Sequence, residues 1–167
     1  MDTLVKRAKN GDADAFISLI EECKMTLRRV ALGYLGNDED AADAIQDAIL
    51  SAYEHIGKLQ KEEHFKTWLV RILINHCTKI WRANKNKTSM DDGFCEMLGA
   101  DDREKADVEF RELLFSLPKE SRTIFQLYFG EQFTVREIAK ILGMKENTVK
   151  SRIHRGKEKL RVELGQE

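Results

Sequence analysis

The chain has 167 residues, with 28 Lys and Arg against 29 Asp and Glu and a formal net charge of −1, which excludes a uniformly basic nucleic-acid coat and leaves local charge patterning to be read. Apolar residues make up 42% and charged residues 34%, enough apolar matter for packed cores and too much for a disordered chain. A single proline, only ten glycines and an abundance of Ala, Leu, Glu, Lys and Arg argue against a sheet protein and for an all-α fold.

The first ten residues carry Asp2, Lys6, Arg7 and Lys9 without the apolar core of a signal peptide. No apolar run approaches the roughly 18 to 20 residues of a membrane helix, so no membrane insertion is expected and the expected location is the cytoplasm. From Ala13 to Leu35 the residues Phe16, Ile20, Cys23, Leu27, Val30 and Tyr34 step by three or four, the period of one helix face. Gly36 and Asn37 end this helix, and Asn37 or Asp38 caps a second. Its predicted stripe is Ala41, Ile45, Ala48, Ile49, Ala52 and Ile56, opposite Asp40, Asp43, Asp47 and Glu54. After the polar stretch Gly57 to His64, a third helix is predicted from Phe65 to about Arg82, burying Phe65, Trp68, Leu69, Ile72 and Ile80. Three such helices make one small bundle.

Residues 71–87 hold Arg71, Lys79, Arg82, Lys85 and Lys87 and no acid, a local charge of +5 that predicts an anionic partner. The character then reverses. Residues 88–109 carry eight acids against Arg103 and Lys105, a local −6 without clear periodicity, which reads as an acidic flexible linker. The predicted organisation is therefore a first domain over 1–84, a linker over 85–106 and a second small helical domain over 107–167.

In the second domain, one helix ends at Leu117-Pro118 and another runs from Lys119 to about Phe129. Thr134-Val135-Arg136-Glu137 has the Ser/Thr-x-x-Glu form of a capping box, so a helix starts near Val135. Ile138, Ala139 and Leu142 give its buried face, Gly143 permits a left-handed turn, and Val149, Ile153 and Leu160 give the buried face of the next helix. This is helix-turn-helix spacing. The outward positions of the last helix, Asn147, Lys150, Ser151, Arg152, His154, Arg155 and Lys157, all donate hydrogen bonds. Residues 134–164 contain nine Lys or Arg against four Glu, and a groove-reading helix needs such a donor-rich face. A solvated basic face on an ordinary helix pair is the plainer explanation of the isolated pattern.

At this point the chain resembles the extracytoplasmic-function sigma factors, bacterial RNA polymerase sigma subunits, over essentially its whole length. Asp40-Ala41-Ala42-Asp43-Ala44-Ile45-Gln46-Asp47 looks like the family's segment that docks on the clamp helices of core RNA polymerase. Phe65-Lys66-Thr67-Trp68-Leu69-Val70-Arg71-Ile72, followed by Asn75, is similar to its segment for the minus-ten promoter element. Leu117-Pro118-Lys119-Glu120-Ser121-Arg122 looks like the opening of its second domain. Glu137 to Gly143 and then Thr148-Val149-Lys150-Ser151-Arg152-Ile153-His154-Arg155 resemble its reader of the minus-thirty-five element. The chain departs from the pattern in three places. Lys145 stands where a serine-like N-cap is common, at a capping cost of about 1 kcal/mol, Ile49 replaces a common aromatic, and Lys79 replaces a frequent acid.

The resemblance implies roles. Asp40, Asp43, Gln46 and Asp47 would meet the beta-prime clamp, although on spacing alone a solvated acidic face is the simpler reading. Lys61, His64, Arg71, Asn75, Lys79, Trp81 and Arg82 would hold the unpaired strand of the minus-ten element, with the loop Gly57 to His64 forming the pocket for a flipped base. Phe65 and Trp68 fit the core better than a stacking surface. Trp81 fits core and stacking equally. Asn147, Thr148, Lys150, Ser151, Arg152, His154 and Arg155 would contact the minus-thirty-five duplex. Implied partners are core RNA polymerase through its beta-prime and beta subunits, promoter DNA, and an anti-sigma factor of the often membrane-anchored kind. The implied path of the acidic linker is through the polymerase.

No cofactor or metal is expected, since Cys23, Cys77 and Cys95 form no Cys-x-x-Cys pair and His55, His64, His76 and His154 form no ligand spacing. No Gly-rich phosphate loop, Gly-x-Ser-x-Gly or His-Glu-x-x-His occurs, so the chain reads as no enzyme. Two rivals compete with the sigma reading. A dimeric helix-turn-helix repressor predicts tight DNA binding alone, and a helical adaptor predicts that the charge of the last helix is dispensable.

Overall fold

Helix α2, Ala13–Leu35, is the long axis around which the first half of the chain is built, and it buries Phe16, Leu19, Cys23, Leu27, Val30 and Ala31 on one side. The computed structural model describes residues 1–85, 112–163 and 165, and all regular elements among them are helical. Packing divides the chain into two units, Met1–Met90 and Asp91–Glu167. The acidic segment 88–109, Cys95 and all of the expected linker but Lys85 lie outside the described residues.

A helix that the periodicity passes over, α1 (Asp2–Lys9), precedes α2, so four α-helices build the described part of the first unit. It buries only Val5 and Ala8, too few positions to register as a stripe. Arg7 pairs with Asp12 at 2.7 Å, and Asp12 caps α2 by accepting from the Ala15 N–H at 3.1 Å. That N–H, then Arg7, holds the Asp12 carboxyl below the usual carboxylate range. Gly36 ends α2 in the left-handed conformation, φ 80°, with its N–H on the Leu32 carbonyl at 2.8 Å. Asn37 then caps α3, Asp38–His55, by accepting from the Asp40 N–H at 2.8 Å.

The buried stripe of α3 is Ala41, Ala44, Ala48 and Ala52. Ile45 and Ile49, expected in the core, are half-buried because the helix lies close to its neighbours on methyl groups and turns its isoleucines to the shoulder. Two short 3₁₀ turns, Ile56–Lys58 and Glu62–His64, lead to α4, Phe65–Lys85. Here too the stripe is rotated from expectation. Phe65, Leu69, Val70, Leu73, Ile74 and Cys77 are buried, whereas Trp68, Ile72 and Ile80 are half-buried. A helix packed against both α2 and α3 needs a wider arc than one three-four stripe supplies. Burial pushes the Cys23 thiol up, so this cysteine acts as a small apolar side chain.

In the second unit a helical turn at 112–115 leads through Leu117 and Pro118 to α5, Lys119–Phe125, whose end continues as a π-helical turn, Gln126–Gly130. Helices α6, Val135–Leu142, and α7, Glu146–Glu163, follow. Leu114, Leu117 and Phe125 form a core cluster against which Leu160 packs. Ile138, Ile141, Val149 and Ile153 are also buried. Arg122 is buried with its guanidinium 4.4 Å from the Phe115 ring centre.

Gly156 of α7 faces Phe125 so closely that a Cβ there would lie 2.3 Å from ring atom Cε2. Phe125 is itself 2% exposed and has nowhere to turn. Gly156→Ala is expected to lower stability by about 1–3 kcal/mol through overpacking, despite the better helix propensity of alanine. Urea denaturation followed by far-UV circular dichroism measures this, and Phe125→Leu in the same chain should recover part of the loss.

Candidate nucleic-acid interface

On α3 the side chains of Asp43, Gln46 and Asp47 are exposed, one helical turn along from the N-terminal end. Asp40 differs. It is half-buried, and its Oδ2 accepts from Asn37 Nδ2 at 2.9 Å and from Asn84 Nδ2 at 2.8 Å. Beside the acidic face, α2 and α3 enclose an apolar groove of about 410 Å³, lined by Ile20, Leu27, Leu32, Ile45 and Ile49 with Lys24 and Arg28 at its rim. The two isoleucines of α3 displaced from the core are therefore the wall of this groove. Leu50 and Tyr53 stand exposed farther along α3, with the Tyr53 ring edge-on to Phe16 at 5.1 Å.

Along α4, Arg71, Asn75, Lys79 and Arg82 are all exposed, and steps of four, four and three set them on one face. Trp81 is half-buried, with the Lys85 ammonium 5.0 Å from its ring centre. Neither purely core nor fully presented, it offers one cation-covered face. Lys61 is exposed and His64 half-buried in the loop before α4, with His64 Nε2 3.4 Å from the Glu63 carboxylate. Lys9 of α1 reaches Glu62 at 3.6 Å. The Glu62 carboxyl is held below its usual range, first by its own backbone N–H and then by Lys9. The loop is thus fastened to α1, a helix with no signal in the hydrophobic pattern.

In the second unit the turn between α6 and α7 has the predicted chemistry. Thr134 Oγ1 accepts from the Glu137 N–H at 3.1 Å, and Glu137 Oε1 accepts from the Thr134 N–H at 3.0 Å. Gly143 ends α6 at φ 66° with its N–H on the Ala139 carbonyl. Helix α7 presents Asn147, Lys150, Ser151, His154 and Arg155 exposed, with Thr148 half-buried. Arg152 lies on a flank, half-buried, with its guanidinium ion-paired to the Glu120 carboxylate at the start of α5. Arg152, Arg155, Lys159 and Ser121 surround a notch of about 240 Å³ next to Pro118. On the other flank, Lys157 Nζ lies 5.5 Å from the Phe129 ring centre. The Arg152–Glu120 pair spans 32 positions and leaves no local sequence signal.

Among the described residues no cluster of His, Cys, Asp and Glu has the arrangement of a metal site, and no helix is long and apolar enough to cross a membrane.

Two family models match the chain, Sigma-70 region 2 over residues 19–87 and Sigma-70, region 4 over residues 107–160. RNA polymerase sigma factor SigV of Bacillus subtilis (strain 168) is 33% identical over 153 residues, covering 90% of this chain and 92% of that protein. ECF RNA polymerase sigma factor SigW of the same organism is 30% identical over 179 residues, covering 96% and 94%. Two solved structures share the fold. CnrH in complex with the cytosolic domain of CnrY has TM-score 0.76 and 22% identity over 98% of this chain and 96% of that one. The sigma factor RpoE in complex with the anti-sigma factor NepR from Bartonella quintana has TM-score 0.72 and 23% identity over 90% and 96%.

The capping box sets where α6 begins and so how α7 is presented. Thr134→Ala is expected to cost about 1 kcal/mol of stability and Thr134→Ser far less, read from thermal denaturation of the two variants beside the wild type.

Proposed function

The chain belongs to the ECF RNA polymerase sigma factors, a family of transcription initiation factors, and we propose from this how its surfaces divide the work of initiation. The first domain, residues 1–84, docks on core RNA polymerase through the exposed face of α3, with Asp43, Gln46 and Asp47 meeting cationic side chains of the beta-prime clamp and Asp40 beside them. The same domain takes the unpaired strand of the minus-ten element along α4. There Arg71, Asn75, Lys79 and Arg82 supply donors, Trp81 supplies a face for a base, and Lys61 and His64 line the approach from the loop. The second domain, 107–167, lays α7 in the major groove of the minus-thirty-five element. Asn147, Lys150, Ser151, His154 and Arg155 face the base edges, and Thr148 and Arg152 stand on the flank toward the phosphates.

The observation that carries this reading is a helix-turn-helix with a donor-rich outer face, in one chain with a helix whose exposed side is a row of Arg71, Asn75, Lys79 and Arg82. A protein of this kind acts in the cytoplasm and leaves the chemistry of RNA synthesis to the polymerase, needing no cofactor or metal of its own. The acidic segment 88–109 joins the two readers and, by its charge, suits a basic channel of the polymerase. An anti-sigma protein, membrane-anchored in many such systems, is the proposed inhibitor. The complexes of CnrH and RpoE support that proposal, and the apolar groove between α2 and α3 suits an amphipathic helix.

Mixing the purified protein with core polymerase of the same organism, free of inhibitor, is expected to give an equimolar complex on size-exclusion chromatography. Failure to co-elute would instead favour a dimeric repressor. Arg155→Ala is expected to lower promoter-specific transcription about tenfold or more with co-elution unchanged. Equal loss of both would refute the division of labour. Promoter binding by the assembled complex should also weaken steeply with salt, by about 0.9 log units per log unit of salt for each phosphate neutralised, with the slope unchanged in Arg155→Ala because that side chain faces base edges.

A further inference from the structure

We propose that the Asp40 carboxylate, shared between Asn37 and Asn84, is a polar latch through which α3 holds the last two turns of α4 in register. The latch rests on the reading above, in which α3 docks on polymerase and the end of α4 takes the unpaired strand.

The apolar attachment of α4 stops early. No residue after Cys77 is fully buried, yet the helix continues to Lys85 and carries Lys79, Trp81, Arg82 and Lys85 on that last stretch. A cationic helix end whose apolar side chains, Ile80 and Trp81, are only half-buried frays more readily unless polar contacts fix it. Polar contacts reach it from the corner between α2 and α3. The Thr78 hydroxyl donates its one proton to the Ile74 carbonyl at 2.8 Å and so accepts from the Tyr34 hydroxyl at 3.0 Å. Six residues farther along both α4 and the α2–α3 corner, Asn84 Nδ2 donates to Asp40 Oδ2 at 2.8 Å. The corner between Tyr34 and Asp40 is itself stiff, turned by the left-handed Gly36 and closed by Asn37, which accepts from the Asp40 N–H and donates to the Asp40 carboxylate.

Asp40 is thereby the joint of three segments. It lies in the first turn of α3, one turn before Asp43, its carboxylate is half-buried, and its partners are the α3 cap and the penultimate residue of α4. Hydrogen bonds to an ionised acceptor are stronger than neutral ones, so a single Asn84 amide suffices to orient the helix end. A load placed on the exposed face of α3 moves the carboxylate with the helix, and the carboxylate carries Asn84. Asp40 and Asn84 are positioning residues in this scheme, acting through Trp81, Arg82 and Lys79 on the strand.

The test uses Asn84→Ala in the full-length protein, since Asn84 belongs to neither proposed contact surface. In the free protein, amide exchange read by mass spectrometry is expected to speed up about tenfold at residues 78–85 and to stay unchanged elsewhere, with the melting temperature held. Unchanged exchange at 78–85 overturns the latch. In complex with core polymerase, the variant is expected to bind core and duplex promoter as the wild type does. It should open the promoter about tenfold more slowly, read as permanganate reactivity of thymines in the melted segment. Exchanging the partners, Asp40→Asn together with Asn84→Asp, keeps the hydrogen bond between α3 and α4 with its direction reversed, gives up the side-chain bond from Asn37 Nδ2, and is expected to restore part of the lost opening rate. Opening at the wild-type rate in Asn84→Ala, or a loss of core affinity as large as the loss of opening, overturns the coupling. A wild-type protein that fails to assemble with core overturns the sigma reading instead, while the exchange measurement still decides whether the latch holds the helix end.

Discussion

The close approach of α3 to its neighbours is the constraint from which the first unit's surfaces follow. Its buried stripe is four alanines, Ala41, Ala44, Ala48 and Ala52, so the helix contributes little apolar area of its own. The larger side chains of α2 and α4, Leu19, Leu27, Phe65, Leu69 and Leu73, supply the bulk of the core. With methyl groups as spacers, helix axes come near the short end of the usual 8–10 Å range. Larger residues at these positions would push α3 outward and take Asp40 beyond reach of Asn84. They would also leave Ile45 and Ile49 without the shallow groove they share with Ile20 and Leu27. The alanine stripe therefore fixes the core, the groove and the link from α3 to α4 together.

The second unit meets the same demand with a glycine. Gly156 lets α7 settle against the Phe125 ring, and the cluster of Leu114, Leu117 and Leu160 closes around that contact. The helix is then held from behind at its middle, while its exposed face from Asn147 to Arg155 stays free of core duties. The capping box at Thr134 and Glu137 and the left-handed Gly143 fix the two ends of α6, so the angle at which α7 leaves the turn is set by local hydrogen bonds of side chain and backbone. The base reading proposed for α7 would need this rigidity, because a base-edge contact misplaced by an ångström is lost.

Much of this was legible in the sequence, and the failures share a physical cause. The all-helical class, the long α2, the capped start of α6 and the glycine turn are written in local chemistry, in periodicity, caps and left-handed positions. The family was legible in four motifs in order. Local chemistry did not reveal α1, whose two buried residues make no stripe, or the rotation of the α4 face, which depends on packing against two helices at once. Nor did it show that Arg152 pairs with Glu120 and Asp40 with Asn84, contacts spanning 32 and 44 positions. A side chain's place on a helical wheel says which way it leaves the axis. The partner that claims it belongs to the tertiary fold.

Charge follows the same separation of scales. The sum over the chain is −1, yet residues 71–87 carry +5, residues 88–109 carry −6 and residues 134–164 carry +5. At physiological ionic strength charges are screened over about 8 Å, so each block acts on what touches it and the near-zero total is felt by nothing. For the proposed role this has a consequence. A free chain with two short basic faces and an acidic segment between them neutralises few phosphates at a time, and the acidic segment competes for the same cations. In the proposed role a basic channel of the polymerase would draw the acidic segment away and leave both faces open to one promoter. Binding core polymerase then raises the effective concentration of each face at its own DNA element, so affinity for promoter DNA becomes a property of the complex and not of the chain alone.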